Sequence, residues 1–307
     1  MEAAVAQIPR AHPEVAELRA GQRFEGRYAC LSKERQTARN GSAYLSLRLR
    51  DRTGTIAARA FRDADRIGLR FEAGDALEVR GRVERFNGEL VIELDDARPI
   101  APGSFDPAEF LPAAYRSADE LEGFLEHLAG EVHDPALRAV VEAIVFSGPL
   151  AADFRRAPCT RRSHHAYLGG LLEHTVAVST LVLETCALHP RLDSDLLMAA
   201  AIVHDAGRAR EFTYGAEFGL SEEGRMLGHL AIGAEIVGQA SSSLPAERRL
   251  TLLNCVLSHH GPDAGPGRAQ AARRGAGPGH GFASAEALAL YRLNALDASV
   301  KGALEHG

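Results

Sequence analysis

Two periodicities divide this chain. Over residues 21–100 apolar and polar positions alternate in GQRFEGRYACLSKERQ, RNGSAYLSLRLRDRTG, TIAARAFRD and GDALEVRGRVERFNGELVIELDDARPI. Alternation with period two sets one face of a strand against a core. Turn residues interrupt it at Asn40-Gly41, Arg52-Thr53-Gly54, Gly74-Asp75 and Asn87-Gly88, where hairpins need Gly or Asn. Five strands at this spacing suit a small barrel, with RDADRIGLRFEAG as a helical piece between strands three and four.

Past residue 103 the period lengthens. PGSFDPAEFLPAAYRS carries three prolines and no clear repeat. SADELEGFLEHLAGEV then opens a helical region, with Ser117 as N-cap and Glu120 as its capping-box partner. PALRAVVEAIVFSG, GGLLEHTVAVSTLVLETCAL, SDLLMAAAIVHDAG, GHLAIGAEIVGQASSS, AERRLTLLNCVLSHHG and SAEALALYRLNALDASVKGAL all place apolar residues three to four apart. The pattern predicts a multidomain α+β protein. An N-terminal five-stranded OB-fold barrel (1–103) leads through a linker (104–125) to an all-α domain (126–307). The Gly- and Pro-rich stretch 261–281 reads as a flexible loop, and His280 as a solvated loop histidine.

Composition narrows the class. With 46% hydrophobic and 25% charged residues the chain has globular proportions, and its net charge is -6. The N-terminal third is slightly basic and the rest acidic. Lysine occurs only at Lys33 and Lys301, so the positive charge is almost all arginine, which can stack on bases and fork onto phosphate. No apolar run reads as a bilayer span, and MEAAVAQIPRAHPEV lacks a basic-then-apolar leader pattern. Cys30, Cys159, Cys186 and Cys255 are scattered without CxxC spacing, which predicts buried free thiols and a cytoplasmic location.

The chemistry gathers around His204-Asp205, set at the end of the apolar run LLMAAAIV. His174, His229, His259 and His260 lie in other helix-like segments, and Asn294 and Asp297 near the C-terminus. Any one of these histidines alone reads as a core residue. Together, imidazoles and carboxylates suit first-row divalent ions, and open positions on such ions activate water for hydrolysis. Asp205 has two oxygens with which to bridge a pair of ions.

At this point the words HHAYLGGLLEHT (164–175), HDAGRAREF (204–212), FGLSEEGRMLGHL (218–230), SHHG (258–261) and EALALYRLNALDA (286–298) resemble the HD superfamily of metal-dependent phosphohydrolases. Within it they look like the YhaM group, bacterial 3′→5′ exoribonucleases with an OB-fold ahead of an HD domain. ERQTARNGSAYLSLRLRDRTGTIAARAF and GDALEVRGRVERFNGELVIEL resemble that group's barrel. The likeness runs from about residue 20 to 302. It implies one metal on His174, His204 and Asp205, and a second on Asp205, His229, His259 and His260. It also implies manganese, with iron, cobalt or nickel accepted by the same donors, and homo-oligomers. Two residues depart from the pattern. Asn294 stands where the family's Asp-x-x-Asp-Ala word has its first Asp, leaving Asn294 or Asp297 as last ligand. Arg208 replaces the lysine of HDxGK.

The function expected is a 3′→5′ exoribonuclease that cleaves single-stranded RNA, and single-stranded DNA as a second polymer, to 5′-mononucleotides through a metal-bound hydroxide. His204, Asp205 and Arg208 would be catalytic, with Arg208 supporting the phosphate. His164, His165, Arg161 and Arg162 would hold substrate in the helical domain, and Tyr44, Arg39 and Lys33 in the barrel, with Tyr28, Phe61 and Phe86 as further stacking candidates. Hydrolysis of a small nucleotide or cyclic dinucleotide is the enzymatic rival, disfavoured by the barrel and by the missing GYP word. An RNA-binding protein with a decayed HD site is the rival from another class, favoured only by Asn294.

Overall fold

The computed structural model describes residues 12–38, 41–262 and 281–306. It divides into a unit ending at Pro112 that also includes Tyr214–Phe218, and a unit of Ala113–Thr213 with the chain from Gly219 onward. The division after Pro112 falls inside the stretch 104–125. The Gly/Pro-rich segment and His280 lie outside the described residues, apart from Gly261, Pro262 and Gly281.

The first unit is a closed barrel of β1 (Arg23–Thr37), β2 (Ala43–Asp51), β3 (Gly54–Ala60), β4 (Ala76–Phe86) and β5 (Glu89–Pro99), ordered β1-β2-β3-β5-β4. Its five strands and the helix α1 (Ala64–Gly68) between β3 and β4 are those the alternation predicts. β1 is long enough to serve twice, pairing with β4 through residues 23–29 and with β2 from Ala29 to Thr37 around a bulge at Cys30/Ser32. A second bulge follows Arg80, where β4 runs so close to β5 that a Cβ on Gly81 would meet the Glu93 carbonyl oxygen at 2.3 Å. Leu45, Leu47, Leu49, Ile56, Leu77, Val79, Ile92 and Leu94 fill the interior, and Ile67 of α1 joins them. Tyr28 belongs to this core: its ring is fully buried and its hydroxyl donates to the Pro13 carbonyl at 2.7 Å.

In the second unit α2 (Ala118–Gly130), α3 (Pro135–Val141), α4 (Ala151–Arg156), α5 (Gly170–Leu188) and α6 (Ser194–Val203) precede the short α7 (Arg208–Glu211). A hairpin of β6 (Phe212–Tyr214) and β7 (Phe218–Leu220) leads to α8 (Glu222–Met226), α9 (Gly228–Ala240), α10 (Ala246–Ser258) and α11 (Ala285–His306). Side-chain caps start several helices: Ser117 accepts from Glu120 N, Asp134 from Ala136 and Leu137 N, and Asp193 from Leu196 N. Only half of the expected capping box forms, since the Glu120 carboxylate turns toward Arg116 at 3.9 Å.

α6 is buried on every side from Leu196 to Val203, which is why its sequence is a continuous apolar run with no polar stripe. α5 is, by length and composition, apolar enough to cross a membrane, contrary to the expectation of no such run. It packs on α2, α6 and α11 and buries the polar side chains of His174, Thr175 and Ser179, as a core helix does.

The barrel offers a stability test. Asp96 is buried and accepts from Arg70 Nη1 at 2.8 Å and Arg98 Nε at 2.9 Å. Burial pushes its carboxyl up, but the two guanidinium groups outweigh burial and hold it below the ordinary range. A depressed folded value stabilises the fold above the unfolded pKa of about 3.9, and that stability is lost as pH falls through the folded value. Asp96→Asn is expected to cost about 1.5–3 kcal/mol at pH 7. Urea unfolding should show the gap between variant and wild type narrowing below about pH 4. An unchanged gap at low pH would refute the assignment.

Candidate metal centre

Four helix ends or faces deliver five histidines to Asp205. His174 projects from the first turns of α5, while His204 and Asp205 occupy the turn after α6. His229 opens α9, and His259 and His260 follow α10. The apolar run before His204-Asp205 forms one helix, as its sequence predicts: α6 stops at Val203 and α7 starts at Arg208. The stop has a local cause. His204 Nδ1–H donates to the Ala201 carbonyl at 2.7 Å, satisfying an acceptor the helix end leaves free. His259 does the same after α10, donating to Val256 O at 2.6 Å. Gly207 lets the following turn touch α9, since a Cβ there would lie 2.1 Å from the His229 carbonyl oxygen.

Two groups of donors share Asp205. Its Oδ2 faces His174 Nε2 at 3.8 Å and His204 Nε2 at 3.7 Å. Its Oδ1 faces His259 Nε2 at 3.2 Å and His229 Nε2 at 3.5 Å, and His260 completes that group. These are the two sets the sequence words implied.

The donor chemistry fits cations. With the Nδ1 protons of His174 and His204 committed to fixed acceptors, their Nε2 atoms point lone pairs at each other across 3.2 Å. Such an arrangement repels itself unless a positive charge lies beside it. Asp205 Oδ1 and His259 Nε2 are buried without a hydrogen-bond partner. Burial pushes His204 and His259 down to about 4 and His260 to about 3, so all three are neutral donors at physiological pH. Burial pushes the Asp205 carboxyl up, but the groups facing it, the Arg208 guanidinium first, hold it well below the ordinary carboxylate range. The His/Asp cluster is thus a divalent-metal site by donor type, charge and orphaned atoms.

A second layer orients these donors, and here several expectations are corrected. Asp297 lies behind His174, where its Oδ2 accepts from His174 Nδ1 at 2.6 Å and from His165 Nε2 at 2.9 Å. Both Asp205-centred groups exclude it. Asn294 turns its amide nitrogen to the His259 carbonyl at 3.1 Å, fixing the backbone of the SHHG turn. His165, expected to touch substrate, is 1% exposed and sits between Asp297 and Tyr167. Its φ of 49° is held by a bond from its N–H to Glu305 and by Cys159 N–H donating to its carbonyl. Arg208, expected on the phosphate, lies partly buried between Asp205 Oδ1 at 3.4 Å and Glu211 Oε2 at 2.9 Å. Glu211 in turn accepts from His229 N–H at 3.2 Å.

His164 is half-buried beside the cluster, and Arg161 and Arg162 lie on the exposed turn before it. Tyr167 and Glu173 went unassigned in the sequence. Tyr167 donates to Glu173, whose carboxyl is held down to about 2 by His165 first and then Tyr167. The adjacency of Glu173 to His174 was the available signal.

In the barrel, Lys33 is not free for nucleic acid. Its ammonium donates to the carbonyls of Gly68 at 3.0 Å and Phe71 at 2.6 Å and pairs with Glu72 at 2.8 Å. Arg39 lies outside the described residues. Tyr44 of β2 and Phe61, one residue past β3, pack ring to ring at 5.2 Å, and Phe61 is half exposed. Nearby, the Arg59 guanidinium lies 4.2 Å over the exposed ring of Phe86.

Comparison with known proteins agrees with this division. A family model for an OB-fold nucleic acid binding domain matches residues 30–100, and one for the HD domain matches residues 171–298. The chain is an HD-domain protein with an N-terminal OB-fold. Within that class it is similar to proteins named 3'-5' exoribonuclease YhaM. The Shouchella clausii protein is 27% identical over 246 residues, spanning 79% of this chain and 76% of its own length. That of Bacillus velezensis is 28% identical across 78% and 77%. That of Bacillus subtilis is 28% identical across 75% and 74%.

Asp297 provides the test of the second layer. Asp297→Asn keeps the side chain's shape but weakens its hold on two imidazoles, and it should lower divalent-ion affinity about 10–100-fold by equilibrium dialysis. Affinity unchanged from wild type would remove Asp297 from the centre.

Proposed function

We propose that this chain is a divalent-metal-dependent exonuclease that shortens single-stranded RNA from its 3′ end and releases 5′-mononucleotides. The observation that carries the reading is the carboxylate of Asp205, shared by two histidine groups in a chain that also holds an OB barrel. The 3′ polarity comes from the relatives' name. We assign two ions, manganese by preference, one to His174, His204 and Asp205 and the other to Asp205, His229, His259 and His260. Ions bound there would polarise the phosphodiester and lower the pKa of a water beside it.

The chain's own residues position and shield. Arg208 fixes Asp205 and offsets its buried charge, and Asp297 aligns His174. We assign the phosphate backbone to Arg161 and Arg162, on the exposed turn before His164, whose ring lies beside that of His174. The Tyr44–Phe61 pair and the Arg59–Phe86 pair give the barrel base-stacking surface. Stacking on a base face does not distinguish ribose from deoxyribose, so single-stranded DNA is assigned as a second substrate.

The deciding assay incubates the purified chain with 5′-labelled single-stranded RNA and Mn²⁺, Mg²⁺ or EDTA, beside His204→Ala/Asp205→Ala. A ladder shortening from the 3′ end with Mn²⁺, absent in EDTA and in the variant, is expected. Tyr44→Ala/Phe61→Ala should require about 5- to 100-fold more protein for the same shortening. RNA that binds yet stays intact with every metal would sink the reading and favour the decayed-site alternative.

A further inference from the structure

We propose that Cys159 is a ligand of the ion assigned to His174, His204 and Asp205, giving this half of the centre a sulfur donor that raises its affinity for thiophilic ions relative to the other half. The proposal rests on reading the Asp205 cluster as a metal centre and is independent of RNA cleavage.

Cys159 lies on the loop after α4, fully buried, with its Sγ 3.6 Å from Asp205 Oδ2 and 3.7 Å from His164 Nε2. Its Sγ lies within 4.8 Å of donor atoms of His164 and His174, a group separate from that of His174, His204 and Asp205 and joined to it through His174. The Oδ2 it faces is the same oxygen that faces His174 and His204. Ordinary zinc bond lengths give a tetrahedron with edges of about 3.3 Å between nitrogens and about 3.6 Å between sulfur and oxygen. The observed separations are 3.2 Å between His174 and His204 Nε2 and 3.6 Å between Cys159 Sγ and Asp205 Oδ2. The nitrogen–oxygen edges of 3.7 and 3.8 Å are somewhat long and would close by a few tenths of an ångström.

The sulfur is held in place by its backbone. Cys159 N–H donates to His165 O at 3.1 Å, and Gly170 at the start of α5 leaves this loop no slack. A Cβ there would meet His165 O at 2.1 Å and Cys159 N at 3.2 Å. None of the other three cysteines belongs to a candidate ligand set among the described residues. A thiol that ligates an ion releases its proton to solvent. The resulting S, N, N, O set is softer than the Asp205, His229, His259 and His260 set, so the two halves of one cluster would rank metals differently.

The test titrates the metal-free full chain with Co²⁺ and records its electronic absorption. Wild type is expected to show visible ligand-field bands together with a near-ultraviolet sulfur-to-cobalt charge-transfer band. Cys159→Ala and Cys159→Ser should keep the visible bands and lose the charge-transfer band. Their Zn²⁺ affinity should fall about tenfold or more relative to Mn²⁺ in competition. Visible bands without charge transfer in wild type would overturn the proposal and leave the metal centre standing. A charge-transfer band that persists in both variants would also overturn it. No cobalt bands at all would overturn both the proposal and the metal-centre reading.

Discussion

A carboxylate 2% exposed among imidazoles is the constraint around which the helical domain is arranged. An isolated buried charge of this kind costs several kcal/mol, so Asp205 needs compensating groups on every side. Arg208 supplies one positive charge from the next turn, and His204, His259 and His260 supply donors with no charge of their own. The balance remains incomplete without cations, as the unpartnered Asp205 Oδ1 and His259 Nε2 show. The apolar wrapping of α6 places this charge at depth, and the sharp turns after α6 and α10 let it be reached from two sides.

The same local device is used twice. His204 and His259 each follow a helix C-terminus and each return an N–H to the carbonyl three residues back. One bond ends the helix, fixes the ring and leaves Nε2 facing inward. His174 reaches the same state through a carboxylate, Asp297, which is shared with His165 and backed by Tyr167, Glu173 and Lys301. Rings held this way lose little freedom when they bind an ion, which is how a rigid outer layer raises affinity.

The barrel and the helical domain were both legible because their apolar periods differ, and the histidines that cluster around Asp205 because they stand in specific words. What the sequence could not show was which atom of a polar residue its neighbours consume. Lys33 looked available for RNA, yet two backbone carbonyls occupy it. Arg208 kept the charge of the expected lysine but spends it on Asp205 and Glu211. Asn294 looked like a lost ligand and is a backbone clamp on His259. Cys159 gave no sign at all, because its partner Asp205 is forty-six positions away and no spacing rule joins them.

The central claim is that Asp205 stands between two ions. Crystals of the full chain grown with Mn²⁺ and measured at the manganese absorption edge would test it directly. The account predicts two anomalous peaks flanking the Asp205 carboxylate, one among His174, His204 and Cys159 and the other among His229, His259 and His260. A single peak on one side, or peaks confined to His165 and Asp297, would contradict it.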